Sequence, residues 1–183
     1  MSKGYVYSGK PSSGKTLRLI LSGYEHCRNG KKVVIIIYDD NPSYIANKLM
    51  FVDNFYKEND RIPTFEEAKN DKQQYDLTKA ELYLRNFFIH RINPYDYNKD
   101  NMMNQLNMLL DYKNFDVLMV DRFDLFTKRP DTSSISHFIN LNDELRNLKM
   151  KCDEKNVDLY ITHQLPYCAW KDTNEVKFTI TEF

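Results

Sequence analysis

The chain has 183 residues, a length within the range of one domain and sufficient to bury a large core. Lysine plus arginine and aspartate plus glutamate both number 26, so the net charge gives no support for nucleic-acid binding, and any such contact must come from a local patch. The longest apolar run, residues 33–38, is much shorter than the roughly 20 residues of a membrane span, and the three cysteines form no CxxC pair; we therefore expect no membrane role, no disulfide framework and a cytoplasmic location.

The first forty residues predict a strand, a loop, a helix and a second strand. Residues 5–8 form a short apolar strand that leads into a glycine-containing loop, and apolar residues recur at helical spacing over 16–29. Gly30 then ends the helix as a C-cap residue would. Residues 32–38 are so rich in Val and Ile that both faces of this strand are expected to be covered, which predicts a parallel sheet.

The rest of the chain continues the alternation of strands and helices. Ser43 is the expected N-cap of a helix over 42–54, and the polar segment 58–76 is expected to be loop with helical pieces. The segment 121–132 is expected to be a loop. Further helices are predicted at 77–86, 101–112 and 134–156, and further strands at 87–92, 115–120, 157–162 and, as an edge strand, 175–181.

This alternation predicts the fold class. Strands that take turns with helices favour an α/β fold, with a mostly parallel sheet flanked by helices. No internal repeat, low-complexity segment or linker divides the chain. We therefore expect a single domain over residues 1–183.

The loop after the first predicted strand carries the pattern GxxxxGKT. Its residues are Gly9, Lys10, Pro11, Ser12, Ser13, Gly14, Lys15 and Thr16. In such a loop the glycines let backbone N–H groups turn inward around phosphates, the lysine meets the outer phosphates and the threonine hydroxyl ligates Mg²⁺. An ordinary Gly/Ser turn is the alternative, but the strand before the loop and the helix after it favour a P-loop, with Lys15 and Thr16 in those roles.

An aspartate directly follows the apolar strand predicted at 115–120. A P-loop enzyme needs a carboxylate at the end of a neighbouring strand to hold Mg²⁺ through water, and Asp121 fits this requirement, which is that of a Walker B element. The alternative is a solvated aspartate at a strand end. We expect Asp121 to serve the metal, and Asp116 and Asp124 to be structural or solvent-facing.

Polar pairs follow two other predicted strands. Hydrolysis needs a group that orients or deprotonates the attacking water, and Asp39 and Asp40 at the end of the second strand are placed for this role. A charge cluster before a helix N-terminus explains the same pair equally well. His163 and Gln164 either sense the nucleotide or cap the sheet, and their position at the carboxyl end of a strand favours a site.

With these motifs in order, the chain resembles the ATPase core of the DnaB-family replicative helicases, part of the RecA-like P-loop group. Residues 10–16, KPSSGKT, resemble the family's RPSMGKT, and residues 38–43, YDDNPS, fall where the family has SLEMPS. Residues 117–126 resemble the family's IMIDYLQLM, and residues 160–165, YITHQL, resemble the strand that ends in SQL. Spacing and order agree from about residue 5 to residue 165.

The resemblance implies a RecA-like fold, ATP and Mg²⁺ as cofactors, and roles for individual residues. Asp40 aligns with the catalytic glutamate, Asp121 with the Walker B aspartate and Gln164 with the phosphate-sensing glutamine. Because Asp40 is a shorter carboxylate than glutamate, slower hydrolysis is expected.

The resemblance also implies partners. A DnaB-type helicase acts on single-stranded DNA, assembles as a ring and works with other replication proteins. The basic pair Lys128 and Arg129 is the candidate phosphate contact for DNA, and simple solvation is the alternative. The 183 residues of this sequence do not include the family's amino-terminal domain or its finger-bearing strands. We therefore expect the chain alone to be a monomer or weak oligomer, to hydrolyse ATP slowly and not to unwind duplex DNA.

The abundance of Asn, Lys, Tyr and Asp indicates an AT-rich genome of the kind many bacteriophages have, and hence a bacterial or phage-infected cell.

Two other classes of function are compatible with a P-loop. A small nucleoside kinase of the thymidine type also begins with a short strand and a P-loop, but such kinases carry paired zinc-binding cysteines and a glutamate just after the Walker B aspartate, where this chain has Arg122. The other alternative is a nucleotide-binding assembly or regulatory protein that turns ATP over slowly. Stimulation of ATP hydrolysis by single-stranded DNA would separate the helicase from both.

Overall fold

The fold is an alternation of strands and helices along the chain. The computed structural model describes residues 2–38, 41–76, 82–92, 99–112, 114–126, 134–164 and 178–182. Its strands are β1 Gly4–Gly9, β2 Val33–Ile37, β3 Phe87–Arg91, β4 Val117–Val120, β5 Asp158–Gln164 and β6 Phe178–Glu182. Its helices are α1 Lys15–Arg28, α2 Pro42–Asn59, α3 Phe65–Asn70, α4 Lys99–Tyr112, α5 Phe123–Phe126 and α6 Ser134–Lys155, and a 3₁₀ helix spans Leu82–Asn86.

Within the described residues the strands form one sheet in the order β3-β2-β4-β5-β1-β6. Strands β1 to β5 pair in parallel, and β6 pairs antiparallel with β1 at the edge. The predicted α/β fold with a mostly parallel sheet is confirmed. Strand β5 lies between β1 and β4, with Gly9 opposite Gln164 and Val120 opposite Ile161, so the carboxyl ends of these three strands meet at one edge.

The core lies on both faces of the sheet. Alternate residues of β2 point to opposite faces: Val34 and Ile36 pack in the cluster that includes side chains of α4 and α6, whereas Ile35 packs in the cluster that includes α1 and α2. Each fully buried aliphatic side chain of this kind contributes about 1.5–3 kcal/mol relative to an exposed one. The prediction that both faces of this strand are covered is confirmed, and the burial holds the carboxyl edge of the sheet in place.

Helix α2 begins at the predicted residue, Pro42, but its N-cap and its end differ from the prediction. Its N-cap is Asn41, whose Oδ1 accepts a hydrogen bond from the Ser43 N–H at 3.0 Å. The predicted Ser43 cap is wrong because Pro42 takes the first helical position, where a residue without an N–H loses nothing. The helix continues past residue 54 to Asn59, because its last turn packs an aromatic side chain against the core.

Three other segments refine the prediction. The polar segment 58–76 contains α3, which begins with a capping box between Thr64 and Glu67. Of the segment 121–132, expected to be a loop, residues 123–126 form α5, because Phe123 is fully buried in the core, and residues 127–132 lie outside the described residues. Of the helix expected at 77–86, residues 77–81 lie outside the described residues and 82–86 form the 3₁₀ helix. No helix in the described part of the chain is long and apolar enough to cross a membrane.

Candidate functional site

The loop between β1 and α1 has the backbone shape that a phosphate-binding loop needs. Ser12 and Gly14 adopt left-handed φ values of 59° and 82°, and the Ser13 N–H donates to the Lys10 carbonyl at 3.3 Å. A Cβ on Gly14 would lie 2.2 Å from Phe65 Cζ, so position 14 requires glycine for both its φ and its space. Among the described residues, no side chain caps the start of α1, and its first N–H groups carry the positive end of the helix dipole.

The Lys15 side chain is folded into this loop. Its Nζ donates to the Gly9 carbonyl at 3.1 Å and to the Lys10 carbonyl at 2.8 Å, and the residue is only 6% exposed. Burial lowers the pKa of Lys15, and the charge of Arg122 lowers it further. Asp121 and Asp124 partly offset this lowering of the pKa, and an anion bound at this position would raise the pKa further, because negative charge favours the charged form of the ammonium.

Asp121 connects the loop to two strands of the sheet. Its Oδ2 accepts a hydrogen bond from Thr16 Oγ1 at 2.8 Å, and its Oδ1 accepts one from Thr162 Oγ1 at 2.6 Å. The carboxylate is almost completely buried, and the Asp121 N–H donates to the Ile36 carbonyl at 2.8 Å. Both carboxylate oxygens therefore have fixed directions, which follow from the position of β5 between β1 and β4.

The donor set beside the loop fits Mg²⁺. A hydroxyl and a carboxylate, Thr16 and Asp121, lie in contact at the start of α1. Mg²⁺ keeps several waters and takes one or two protein carboxylates plus substrate phosphates, whereas an all-protein cage of carboxylates suits Ca²⁺ better. No group of three or more metal-binding side chains occurs in the part of the chain that the structure describes.

A second network continues from Asp121 to the end of β5. The Arg122 N–H donates to Thr162 Oγ1 at 2.6 Å, and its guanidinium Nη2 lies 3.2 Å from Asp124 Oδ2. Asp124 Oδ1 in turn accepts a hydrogen bond from the Gln164 N–H at 3.1 Å. Asp124 thus makes structural contacts, as expected. Asp116 makes a comparable contact, because its carboxylate accepts a hydrogen bond from the N–H of Lys32, the residue before β2.

These elements enclose a pocket of about 480 Å³, within the size range of small-molecule sites. On the loop and sheet side it is lined by Pro11, Ser12, Gly14, Lys15, Thr16, Leu17, Asp121, Arg122 and Gln164. It is also lined by Tyr44, Phe65 and Lys69 from α2 and α3. Helix α3 is held there because the buried Lys48 Nζ donates to the Ala68 carbonyl at 2.8 Å, and because Arg18 stacks 4.6 Å from the Phe65 ring centroid.

The structure brings together most of the residues that the motifs singled out. Lys15, Thr16, Asp121 and Gln164 all line the same pocket. Four other predicted residues, Asp39, Asp40, Lys128 and Arg129, lie outside the described residues.

Sequence reasoning missed two contributors to this site. Thr162 is one position from the polar pair at the end of β5 and is fully buried, so only the strand order reveals its contact with Asp121. The other contributor is the wall of the pocket that Phe65 and Lys69 form on α3. This helix begins with the capping box from Thr64 to Glu67, which is visible in the sequence as T-x-x-E. That pattern marks a helix start but gives no indication that the helix faces the loop.

Comparison with known proteins defines the class of fold. No family model matches the sequence, and no curated protein matches it. Among solved structures, the chain is similar to a DnaB-like replicative helicase described together with its interactions with primase. The TM-score is 0.57 at 14% sequence identity, over 92% of this chain and 40% of the helicase chain. At this identity the likeness shows the fold alone, and the fold is that of a RecA-like α/β core.

Proposed function

We propose that the chain binds and hydrolyses ATP as the RecA-like core of a DnaB-type replicative helicase that acts on single-stranded DNA. The observation that carries this proposal is the hydrogen bond between Thr16 and Asp121, 2.8 Å long. It joins the hydroxyl of the GKT motif to the carboxylate that follows β4, although strand β5 lies between β1 and β4 in the sheet. A coincidental Gly/Ser turn gives no reason for this pairing, whereas a Mg²⁺–nucleotide site requires it.

The phosphates are proposed to lie in the loop between Gly9 and Thr16. The N–H groups at the start of α1 donate to the phosphate oxygens, and the Lys15 ammonium exchanges its two carbonyl partners for the outer phosphates. Thr16 and Asp121 hold Mg²⁺, the latter through water, and Thr162 keeps the carboxylate oriented. Mg²⁺ held by these residues would supply positive charge that offsets the charge of the phosphates.

The remaining proposed roles concern the reacting water and the terminal phosphate. The Asp40 carboxylate orients the water and accepts its proton, as the water oxygen bonds to the γ-phosphorus. The bond from that phosphorus to the bridging oxygen breaks, and its electron pair leaves on ADP. Gln164 is proposed to sense the terminal phosphate, because this residue lines the pocket at the end of β5.

DNA and protein partners complete the proposal. Lys128 and Arg129 are proposed to contact DNA phosphates, with other copies of the chain forming a ring and other replication proteins as partners. The helicase with the similar fold interacts with primase, and the present chain spans 40% of that helicase. Segments equivalent to the other 60% are not needed for nucleotide binding in this proposal.

The test is ATP hydrolysis measured with and without single-stranded DNA. We expect slow hydrolysis that DNA stimulates and that Lys15→Ala abolishes. Lys31→Ala is the matched control, because Lys31 lies away from the loop. Its Nζ is 2.8 Å from Oδ2 of Asp158, the first residue of β5, at the end of the sheet opposite the carboxyl ends of the strands. Hydrolysis that responds to an added nucleoside, with formation of its monophosphate, would instead support the kinase. Tight ATP binding with slow turnover that single-stranded DNA does not stimulate would support the regulatory protein.

A further inference from the structure

Arg122 has an unusual backbone at the edge of the pocket. It follows Asp121 directly, and its φ is 64°, a left-handed conformation that residues with a Cβ seldom adopt. The conformation is fixed because the Arg122 N–H donates to Thr162 Oγ1, the same hydroxyl that donates to Asp121. Left-handed conformations at non-glycine residues occur preferentially at functional sites, where surrounding contacts hold them.

The Arg122 side chain is directed by Asp124. Its Nε and Nη2 lie 3.3 Å and 3.2 Å from Asp124 Oδ2, and the side chain is 26% exposed. Arg122 nevertheless lines the pocket together with Lys15 and Gln164. A guanidinium carries five N–H donors in a planar fork, and this fork matches the spacing of phosphate oxygens.

We propose that Arg122 is a catalytic residue that contacts the terminal phosphate of the bound nucleotide from within the same chain, with Asp124 as its positioning residue. This inference rests on the proposed function. The terminal phosphate is the part of the ligand concerned, because Arg122 adjoins the carboxylate assigned to Mg²⁺ and lines the same pocket as Lys15, which is assigned to the outer phosphates. As the phosphorus changes its bond from ADP to water, charge grows on its oxygens, and a guanidinium stabilises that charge.

A purely structural role makes a different prediction. If Arg122 only closes the turn before α5 through its ion pair with Asp124, its removal destabilises the fold and affects every nucleotide state equally. If it contacts the terminal phosphate, its removal affects only the states that contain a group at that position.

The experiment compares two ligand states in the presence of Mg²⁺: ADP alone and ADP with aluminium fluoride, which stands in for the transferring phosphoryl group. For Arg122→Ala we expect ADP affinity within about 3-fold of wild type, and a loss of about 10² or more in both turnover and affinity for the fluoride complex, since an arginine in this role is worth roughly 10³ to 10⁵. Alanine at the same positive φ keeps the backbone cost similar. Arg28→Ala, which removes an arginine stacked on Tyr56, is the control and should change neither affinity.

Two further variants keep the inference testable. Arg122→Lys retains the charge without the fork and should weaken the fluoride complex by about 10-fold, even if the alanine variant does not fold. Asp124→Asn should shift the same complex in the same direction by less, as expected for a positioning residue. Equal effects of Arg122 variants on ADP and on the fluoride complex, or no effect on either, would overturn the inference alone. Failure of the wild-type chain to bind ADP would overturn the proposed function and the inference with it.

Discussion

The strongest prediction about the architecture of the site concerns Thr162. This residue is fully buried; its Oγ1 donates to Asp121 Oδ1 at 2.6 Å and accepts from the Arg122 N–H at 2.6 Å. Thr162→Val preserves shape and volume but takes this partner from a buried acceptor, Asp121 Oδ1, and from a part-buried donor, the Arg122 N–H. Each such group costs about 1–3 kcal/mol, so the free energy of unfolding should fall by about 2–6 kcal/mol.

The assay is chemical denaturation of the wild type and of Thr162→Val, with the free energy of unfolding extrapolated to zero denaturant. The dependence of this free energy on denaturant concentration should be the same for both proteins. Thr162→Ser is the matched control, because serine retains the hydroxyl and loses only a methyl group, at a cost of about 1 kcal/mol. A loss below about 0.5 kcal/mol for the valine variant would refute the hydrogen-bond arrangement. A serine variant as destabilised as the valine variant would show that packing of the methyl group is what matters.

Three other predictions address metal, water and pH. Asp121→Asn should reduce Mg²⁺-dependent hydrolysis more than it reduces nucleotide binding measured without Mg²⁺, in the presence of a chelator. Equal losses of hydrolysis and of binding would count against the metal assignment. Asp40→Ala should lower turnover by about 10² with nearly unchanged ATP affinity, measured by steady-state kinetics and calorimetry. The pKa of Glu67 is lowered to about 2, chiefly by its hydrogen bonds from Arg61 and also by those from the helix start. The contribution of Glu67 to stability is therefore present above the ordinary pKa of 4.5 and is lost as the pH falls towards 2. The free energy of unfolding in urea should therefore change less between about pH 5 and about pH 3 for Glu67→Gln than for the wild type.

The fold was largely predictable because local patterns agree with the long-range arrangement. The apolar run over residues 33–38 indicates a strand buried on both faces, and such a strand requires helices on both sides of the sheet. The loop of residues 9–16 likewise dictates the strand before it and the helix after it. The N-cap of α2 was missed because Pro42 decides the helix start, whereas Ser43 only has the preferred residue type.

The candidate site was predictable where one residue adjoins a clear element. Asp121 was identified because it ends an apolar strand, and its contact with Thr16 then depends on β5 lying between β1 and β4. Nothing local in the sequence sets that order, so Thr162 and the wall formed by Phe65 could not be inferred. The catalytic role of Asp40 and the DNA contacts stay predictions.

The measurement that tests the central claim most directly is calorimetric titration of ATP with Mg²⁺ into the wild-type chain and into Lys15→Ala. Lys15 is the buried cation of the loop, and its removal leaves the apolar clusters of the core untouched. The account predicts one ATP per chain for the wild type, and an affinity lower by about 10² or more for Lys15→Ala, with thermal unfolding in the absence of nucleotide nearly unchanged. Equal ATP affinity of the two folded proteins would contradict the assignment of residues 9–16 as the nucleotide-binding loop.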